Sequence, residues 1–271
     1  MTTFGLVQAS STIDALQNFH TIKHFTSQAK EKNCLALCFP EAFLTGYFPE
    51  LAAHLALSAD CKLLTQISKL AQSEQIDLLV GFMEIAHDQF FLTHGIFSAD
   101  GNCQFYRKTH LGEREKTIFS AGNLLEVFPL SCGCMTGIEL CVETHFPEIT
   151  QILSLKGAQI IFAPHAVPRI SGNREAIWKK YIPARSYDNR VYMACCNAWN
   201  DTKFGGGCFV TGPEGDIIAS HFHEKEALLC FQLDLDKIDN YHSQDRSLKY
   251  RYYPSQRRTD LLSQHSQLRH I

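Results

Sequence analysis

With 271 residues, 45% of them hydrophobic, the chain has enough apolar material for one large α/β domain or two smaller ones. Its 25 basic and 28 acidic side chains leave a formal charge of −3, which carries no nucleic-acid footprint, since phosphate binding needs a clustered positive face. No apolar run approaches the length that spans a bilayer, so no membrane partner is expected either.

Strand-like sequence begins at Phe4, leaving no room for a charged and then apolar signal segment, so a cytoplasmic location is expected. Residues 4–10 read as a strand, after which Ile13, Leu16, Phe19, Ile22, Phe25 and Ala29 recur at helical spacing. Residues 35–39 form a short continuous apolar run, the pattern of a strand covered on both faces. A second helical stripe, Leu63, Leu64, Ile67, Leu70 and Ala71, leads into a strand over 78–83. From Phe90 the pattern changes to hairpins, with strands over 91–98 and 103–108 joined by an Asp100-Gly101 turn. Strands over 127–130 and 135–141 follow, joined by a tight turn at 131–134, then a short helix over 149–155 and a strand over 159–163. Residues 175–189 are helical, with Pro183 expected to kink the helix or open a new first turn. Strands over 191–197, 208–211, 217–220 and 227–233 complete the series, with a Pro213-Glu214-Gly215-Asp216 turn among them. There is no internal repeat and no low-complexity linker. The pattern predicts one α/β domain, two mixed sheets face to face with helices outside.

Three reactive side chains each end an apolar run: Glu41, Lys108 and Cys141. They lie far apart in the chain, so only a folded scaffold brings them together. A thiol is a strong nucleophile only as the thiolate and needs a base or a positive neighbour. Glu41 supplies the base and Lys108 the charge. The Lys108 ammonium, with the backbone N–H of Val142, suits the oxyanion of a tetrahedral intermediate. Glu41 then serves in both halves of the reaction, protonating the leaving nitrogen and later activating water, which makes a histidine unnecessary. Each residue also has a plainer reading. An isolated strand-end lysine is usually solvated, Glu113 to Lys116 is a charge run of the kind found on surface loops, and a lone cysteine usually packs. Glu143 fits either a pocket wall or a cap on the following helix, and Glu148 reads as structural.

The neighbours of these residues resemble the nitrilase superfamily of carbon-nitrogen hydrolases. The resemblance rests on Phe39-Pro40-Glu41 with Thr45-Gly46-Tyr47, on Tyr106-Arg107-Lys108 with His110-Leu111, and on Glu115 ahead of Gly122. It continues through Gly137 and Cys141 to Phe146-Pro147-Glu148, then Ala184-Arg185 with Asn189 and Tyr192, and Gly206-Gly207 running to Pro213 and Gly215. It covers roughly residues 4–235. The resemblance implies a four-layer α-β-β-α sandwich over 1–271, with 245–271 as a C-terminal arm. It also implies a Glu-Lys-Cys triad of Glu41, Lys108 and Cys141, and a further glutamate, Glu115, orienting the lysine and substrate. The implied activity is hydrolysis of a small amide or N-carbamoyl compound through a cysteine thioester, without a cofactor. Val142 stands where true nitrilases usually carry tryptophan, so a nitrile substrate is disfavoured; a catalytically silent binding protein on the same scaffold is the other alternative. Tyr47, Val142, Glu143, His145, His165, Arg169 and Trp178 are the substrate-pocket candidates.

Eleven cysteines and thirteen histidines invite a zinc site at Cys132, Cys134, Cys195 and Cys196, but the spacing is poor and a second matched pair is missing. No metal is expected. Cys34, Cys38 and Cys230 lie inside apolar runs as small hydrophobes, and a disulfide framework is not expected. Asn200-Asp201-Thr202 is a glycosylation acceptor only in a secreted protein. The tail from Lys249 interleaves aromatics with positive charge. RNA stacking is one reading of it; packing of Tyr250, Tyr252, Tyr253, Leu261 and Leu262 on a partner subunit is the plainer one, giving a homodimer or higher even-numbered oligomer.

Overall fold

The first sheet grows from three parallel strands, β1 (Thr2–Gln8), β2 (Ala36–Cys38) and β3 (Asp77–Ala86), in a computed structural model that describes residues 1–243 and 251–264. Parallel neighbours need a long crossover, and α1 (Ala15–Glu31) and α3 (Lys62–Glu74) supply the two crossovers, with the short α2 (Ala52–Leu55) between them. Asp14 starts α1 by accepting from the backbone N–H groups of Leu16 and Gln17. β3 runs three residues past its expected end, because Glu84 is not a loop residue: it is buried and paired with Arg107 at 2.6 Å. The chain then reverses at His87 and Asp88, both left-handed (φ 50° and 59°), the two-residue turn whose twist suits a hairpin. β4 (Gln89–Phe97) and β5 (Cys103–Arg107) follow antiparallel, so β5 again runs in the direction of β2 and β3.

The second sheet repeats this plan. β7 (Met135–Ile138), β8 (Ile160–His165) and β9 (Tyr192–Asn197) are parallel, crossed over by α4 (Pro147–Leu155) and α5 (Arg174–Asn189). β6 (Phe128–Pro129), β10 (Cys208–Thr211) and β11 (Ile217–His221) add antiparallel edges. β12 (Ala227–Leu233) returns to the first sheet and pairs antiparallel with β1 along its whole length, Thr2 opposite Leu233 and Gln8 opposite Ala227. α6 (Leu235–His242) and α7 (Thr259–Gln264) end the described chain. The sheet orders are β12-β1-β2-β3-β4-β5 and β11-β10-β9-β8-β7-β6.

Strand alternation sorts side chains into three apolar layers. Phe4, Leu6, Cys38, Leu79, Phe162, Ala194 and Val210 meet between the sheets, with the Phe4 and Phe162 rings 6.1 Å apart. Ile22, Phe25, Ile67, Leu78 and Val80 pack under α1 and α3, and Leu153, Trp178, Ile182, Met193 and Phe209 under α4 and α5. The architecture is therefore the α-β-β-α sandwich expected. Adjacent Cys195 and Cys196 face different layers, the outer and the central one, so they have no common ligand to hold. All eleven cysteines are free, and among the described residues no cluster of three or more His, Cys, Asp or Glu is arranged for a metal ion. No described helix is long and apolar enough to cross a membrane. Pro183 neither breaks nor restarts α5, which is helical throughout; the carbonyl it leaves unpaired belongs to Lys179, on the exposed side of the helix.

Candidate active site

Because β2, β5 and β7 all deliver their carboxyl ends to one rim of the sandwich, the residues just past them converge. Glu41 lies in the turn after β2, Lys108 is the first residue after β5, and Cys141 heads a 3₁₀ turn, Cys141–His145, shortly after β7. Lys108 is almost wholly buried. Its Nζ donates to Glu41 Oε1 at 2.7 Å and to Glu115 Oε1 at 2.9 Å. The Tyr47 hydroxyl donates to the same Glu115 oxygen at 2.6 Å, and the Gly112 N–H to the other at 2.7 Å. Glu41 Oε2 is buried without a hydrogen-bond partner, so one carboxylate oxygen is anchored and the other is free.

Cys141 adopts a left-handed backbone conformation, φ 53°, which costs a non-glycine residue strain and persists only where its surroundings hold it. Glu143 does much of the holding. It is fully buried, and its Oε1 accepts from the Tyr106 hydroxyl (2.7 Å), the Thr109 N–H (2.7 Å) and hydroxyl (2.6 Å), and the His110 N–H (3.2 Å). Its Oε2 accepts from the Leu140 N–H at 2.7 Å. One carboxylate thus ties the loop after Lys108 to the loop carrying Cys141. Thr144 donates to the Cys141 carbonyl at 2.8 Å, and Arg185 donates to the Thr144 carbonyl at 3.3 Å.

Burial pushes the Glu41 carboxyl up to about 7 despite the opposing pull of Lys108, with Glu115 adding repulsion. Burial likewise drives the Cys141 thiol up to about 12, reinforced by Glu41 and opposed by Lys108. Lys108 goes the other way: burial disfavours its charge, but Glu41, Cys141 and Glu115 outweigh that and keep it an ammonium. Glu115 resists its own burial through Lys108 and Tyr47 and stays below the usual carboxylate range. The resting site is therefore a protonated thiol beside a fixed cation and a carboxyl poised near neutrality. Such a set suits general-base activation of the thiol rather than a preformed thiolate.

A cleft of about 360 Å³ opens over Cys141, lined by Val142, His145, His165, Val167, Ser171, Arg174 and Ile177. Of the pocket candidates, Val142, His145 and His165 line this cleft. The other pocket candidates need correction. Glu143 is no pocket wall, since backbone and hydroxyl donors occupy it. Arg169 lies in a neighbouring recess, pairing with Glu224 and donating to the Asn200 carbonyl at 3.0 Å. Trp178 is entirely buried and supports His165 from behind, ring centroids 4.9 Å apart. Tyr47 works through its bond to Glu115 and is not part of the cleft lining. Arg174 and Ser171 escaped the sequence reading, because a single arginine or serine at or just before a helix start has no pattern of its own.

The model of the carbon-nitrogen hydrolase family matches residues 3–243. The chain belongs to that family. It is 26% identical over 264 residues to an N-carbamoylputrescine amidase of Solanum tuberosum, covering 88% of each chain. It is 29% identical over 232 residues to an omega-amidase of Xenopus laevis, covering 80% of this chain and 81% of the relative. The amidase of Nesterenkonia sp. AN1 shares the fold, with a TM-score of 0.83 and 22% identity over 97% of this chain and 99% of the other. One structure of that amidase carries the acetamide moiety of fluoroacetamide on its active-site cysteine. As a carbon-nitrogen hydrolase of the nitrilase superfamily, the chain cleaves non-peptide carbon–nitrogen bonds.

Proposed function

We propose that the protein hydrolyses a small amide or N-carbamoyl compound, with Cys141 as nucleophile, Glu41 as general base and acid, and Lys108 as electrostatic stabiliser. The observation that carries this reading is the arrangement of Lys108 between Glu41 and Glu115, with the second oxygen of Glu41 buried and unpartnered. That free oxygen is the acceptor for the Cys141 proton. As the proton leaves, Sγ attacks the carbonyl carbon, and the carbonyl electrons move onto oxygen, where Lys108 and the Val142 N–H stabilise them. The intermediate collapses with cleavage of the carbon–nitrogen bond. Glu41 returns its proton to the leaving nitrogen, releasing ammonia or an amine and leaving a thioester. Water then gives a proton to Glu41 as its oxygen attacks the thioester; the carbon–sulfur bond breaks, and the proton passes back to Cys141. Glu115 is a positioning residue in this scheme, since its oxygens are engaged by Lys108, Tyr47 and Gly112.

Residues 1–271 are read as a single hydrolase domain with 245–271 as its arm, acting in the cytoplasm as a homodimer or higher even-numbered oligomer. Eleven free thiols suit a reducing compartment. Tyr187, Tyr253 and Leu261 remain exposed on the arm's side of the molecule, an apolar surface that a symmetric partner covers. Ammonia release from a panel of small amides and N-carbamoyl compounds tests the reading. Turnover of at least one class is expected; turnover of nitriles alone contradicts it.

A further inference from the structure

We infer that Arg174 forms the far end of the substrate site and binds a carboxylate, making the enzyme selective for amides and ureido compounds that carry a negative charge. This deepens the proposed reading of Cys141 as nucleophile and rests on it.

Arg174 opens α5 and lines both the Cys141 cleft and the recess beside it. Its Nε is buried without a hydrogen-bond partner, and no ion pair satisfies its guanidinium among the described residues. The guanidinium carbon stands 5.9 Å from the centroid of the buried Trp178 ring, a contact that restrains the side chain. The nearby carboxylates have cations of their own: Glu175 pairs with Lys179, and Glu224 with Arg169. No carboxylate lines the cleft. Arg174 is half-buried, with only its Nε withdrawn from solvent and unpartnered, and an anionic ligand group supplies the missing partner through a bidentate pair.

His165 makes the link between this cation and the triad. Its Nδ1 lies 2.8 Å from the Ala163 carbonyl and so donates, which leaves Nε2 a bare acceptor, buried and unpartnered. Burial, with Arg174 and Lys108 adding to it, lowers the pKa of the His165 ring and keeps it neutral. A neutral acceptor lining the same cleft as Cys141 and Arg174 fits an amide or ureido N–H lying between a reacting carbonyl and a terminal carboxylate. An aminoalkyl substrate instead brings its ammonium to Arg174 with no carboxylate to receive it.

The test compares matched probes: succinamate and glutaramate against succinamide and glutaramide, 3-ureidopropionate against propylurea, and 4-aminobutanamide as the cation. The expected kcat/KM favours the anion of each pair by about tenfold or more, the scale of a charge-assisted pair. In Arg174→Gln that ratio should fall to near one, with the loss on the anionic probe appearing in KM, and Arg174→Lys should restore part of it. A preference for neutral or cationic probes, or a ratio unmoved by Arg174→Gln, overturns the subsite. Thermal stabilisation by succinate separates the two ideas. If no amide or ureido compound is turned over, yet succinate stabilises the unaltered protein and not Arg174→Gln, the amidase reading fails and the subsite stands. Absence of both turnover and stabilisation overturns both.

Discussion

Lys108 has three acidic neighbours, Glu41, Glu115 and Cys141, and that crowding sets the pH behaviour of the site. Ionised Glu41 is the form that accepts the thiol proton, and its carboxyl is pushed up to about 7. The rate should therefore rise with pH through an acid limb near 7, rather than near the 4.5 of an unperturbed glutamate; a kcat/KM profile measures it. Glu41→Gln keeps the shape and loses the proton site, so kcat should drop by about 10² to 10⁴. Glu115→Gln has a different signature. Removing a negative neighbour makes Glu41 easier to ionise, so the acid limb should move to lower pH, while more activity survives than in Glu41→Gln. An unmoved limb shows that Glu115 does not act through the Lys108 cluster. The triad was legible in the sequence because each member ends an apolar run inside a distinctive motif. Glu143 was half legible: its position two residues past Cys141 left wall and cap equally open, and only the converging donors of Thr109, Tyr106 and Leu140 decide between them. Arg174 was not legible, because its meaning lies in the nearby carboxylates being paired with other cations, a property of three dimensions.

The connection from β7 to Cys141 carries a further buried acid, Glu139, whose two oxygens lack hydrogen-bond partners among the described residues. Burial pushes its carboxyl up to about 8, with Glu143 adding to the rise and Thr150 and Arg185 opposing it. The sign follows from linkage. Between 4.5 and about 8 the unfolded chain is ionised at this position while the folded one keeps its proton, so stability falls as pH rises through that window. The loss is on the order of a few kcal/mol. Glu139→Gln should flatten this slope, with denaturant unfolding at pH 5 and pH 8 as the check; equal slopes in both proteins contradict the assignment. Element types were largely legible because apolar periodicity fixes them. Their ends were not, since β3 continues through Glu84, held by Arg107 on β5 and Thr93 on β4, to Ala86 opposite Gln89. The continuity of α5 through Pro183 likewise depends on an exposed carbonyl that sequence does not reveal.

At the scale of the molecule, the two sheets follow the same plan, each with a parallel core, so the rim where both deliver their carboxyl ends is the natural place for a composite site. The arm is only partly described. Tyr250 and the Leu262 side chain lie outside the described residues. Tyr252 bonds Ser154 of its own chain at 2.7 Å, and Arg257 bonds Gln151 at 2.7 Å, so the described part of the arm docks on α4. The guanidinium of Arg190 lies over the Tyr187 and Tyr253 rings, 4.3 and 5.4 Å from their centroids, which organises the exposed face. Truncation after Leu248 should lower the mass measured by light scattering toward the monomer and reduce thermal stability; a full-length protein that is monomeric at micromolar concentration contradicts the assembly. Cys141 as the sole nucleophile is tested most directly by intact and peptide mass spectrometry of the protein trapped with a slow amide substrate, beside turnover by Cys141→Ala. The expected result is one acyl group on Cys141 and no turnover by the variant. An acyl group found only on another residue, or full activity in Cys141→Ala, contradicts it.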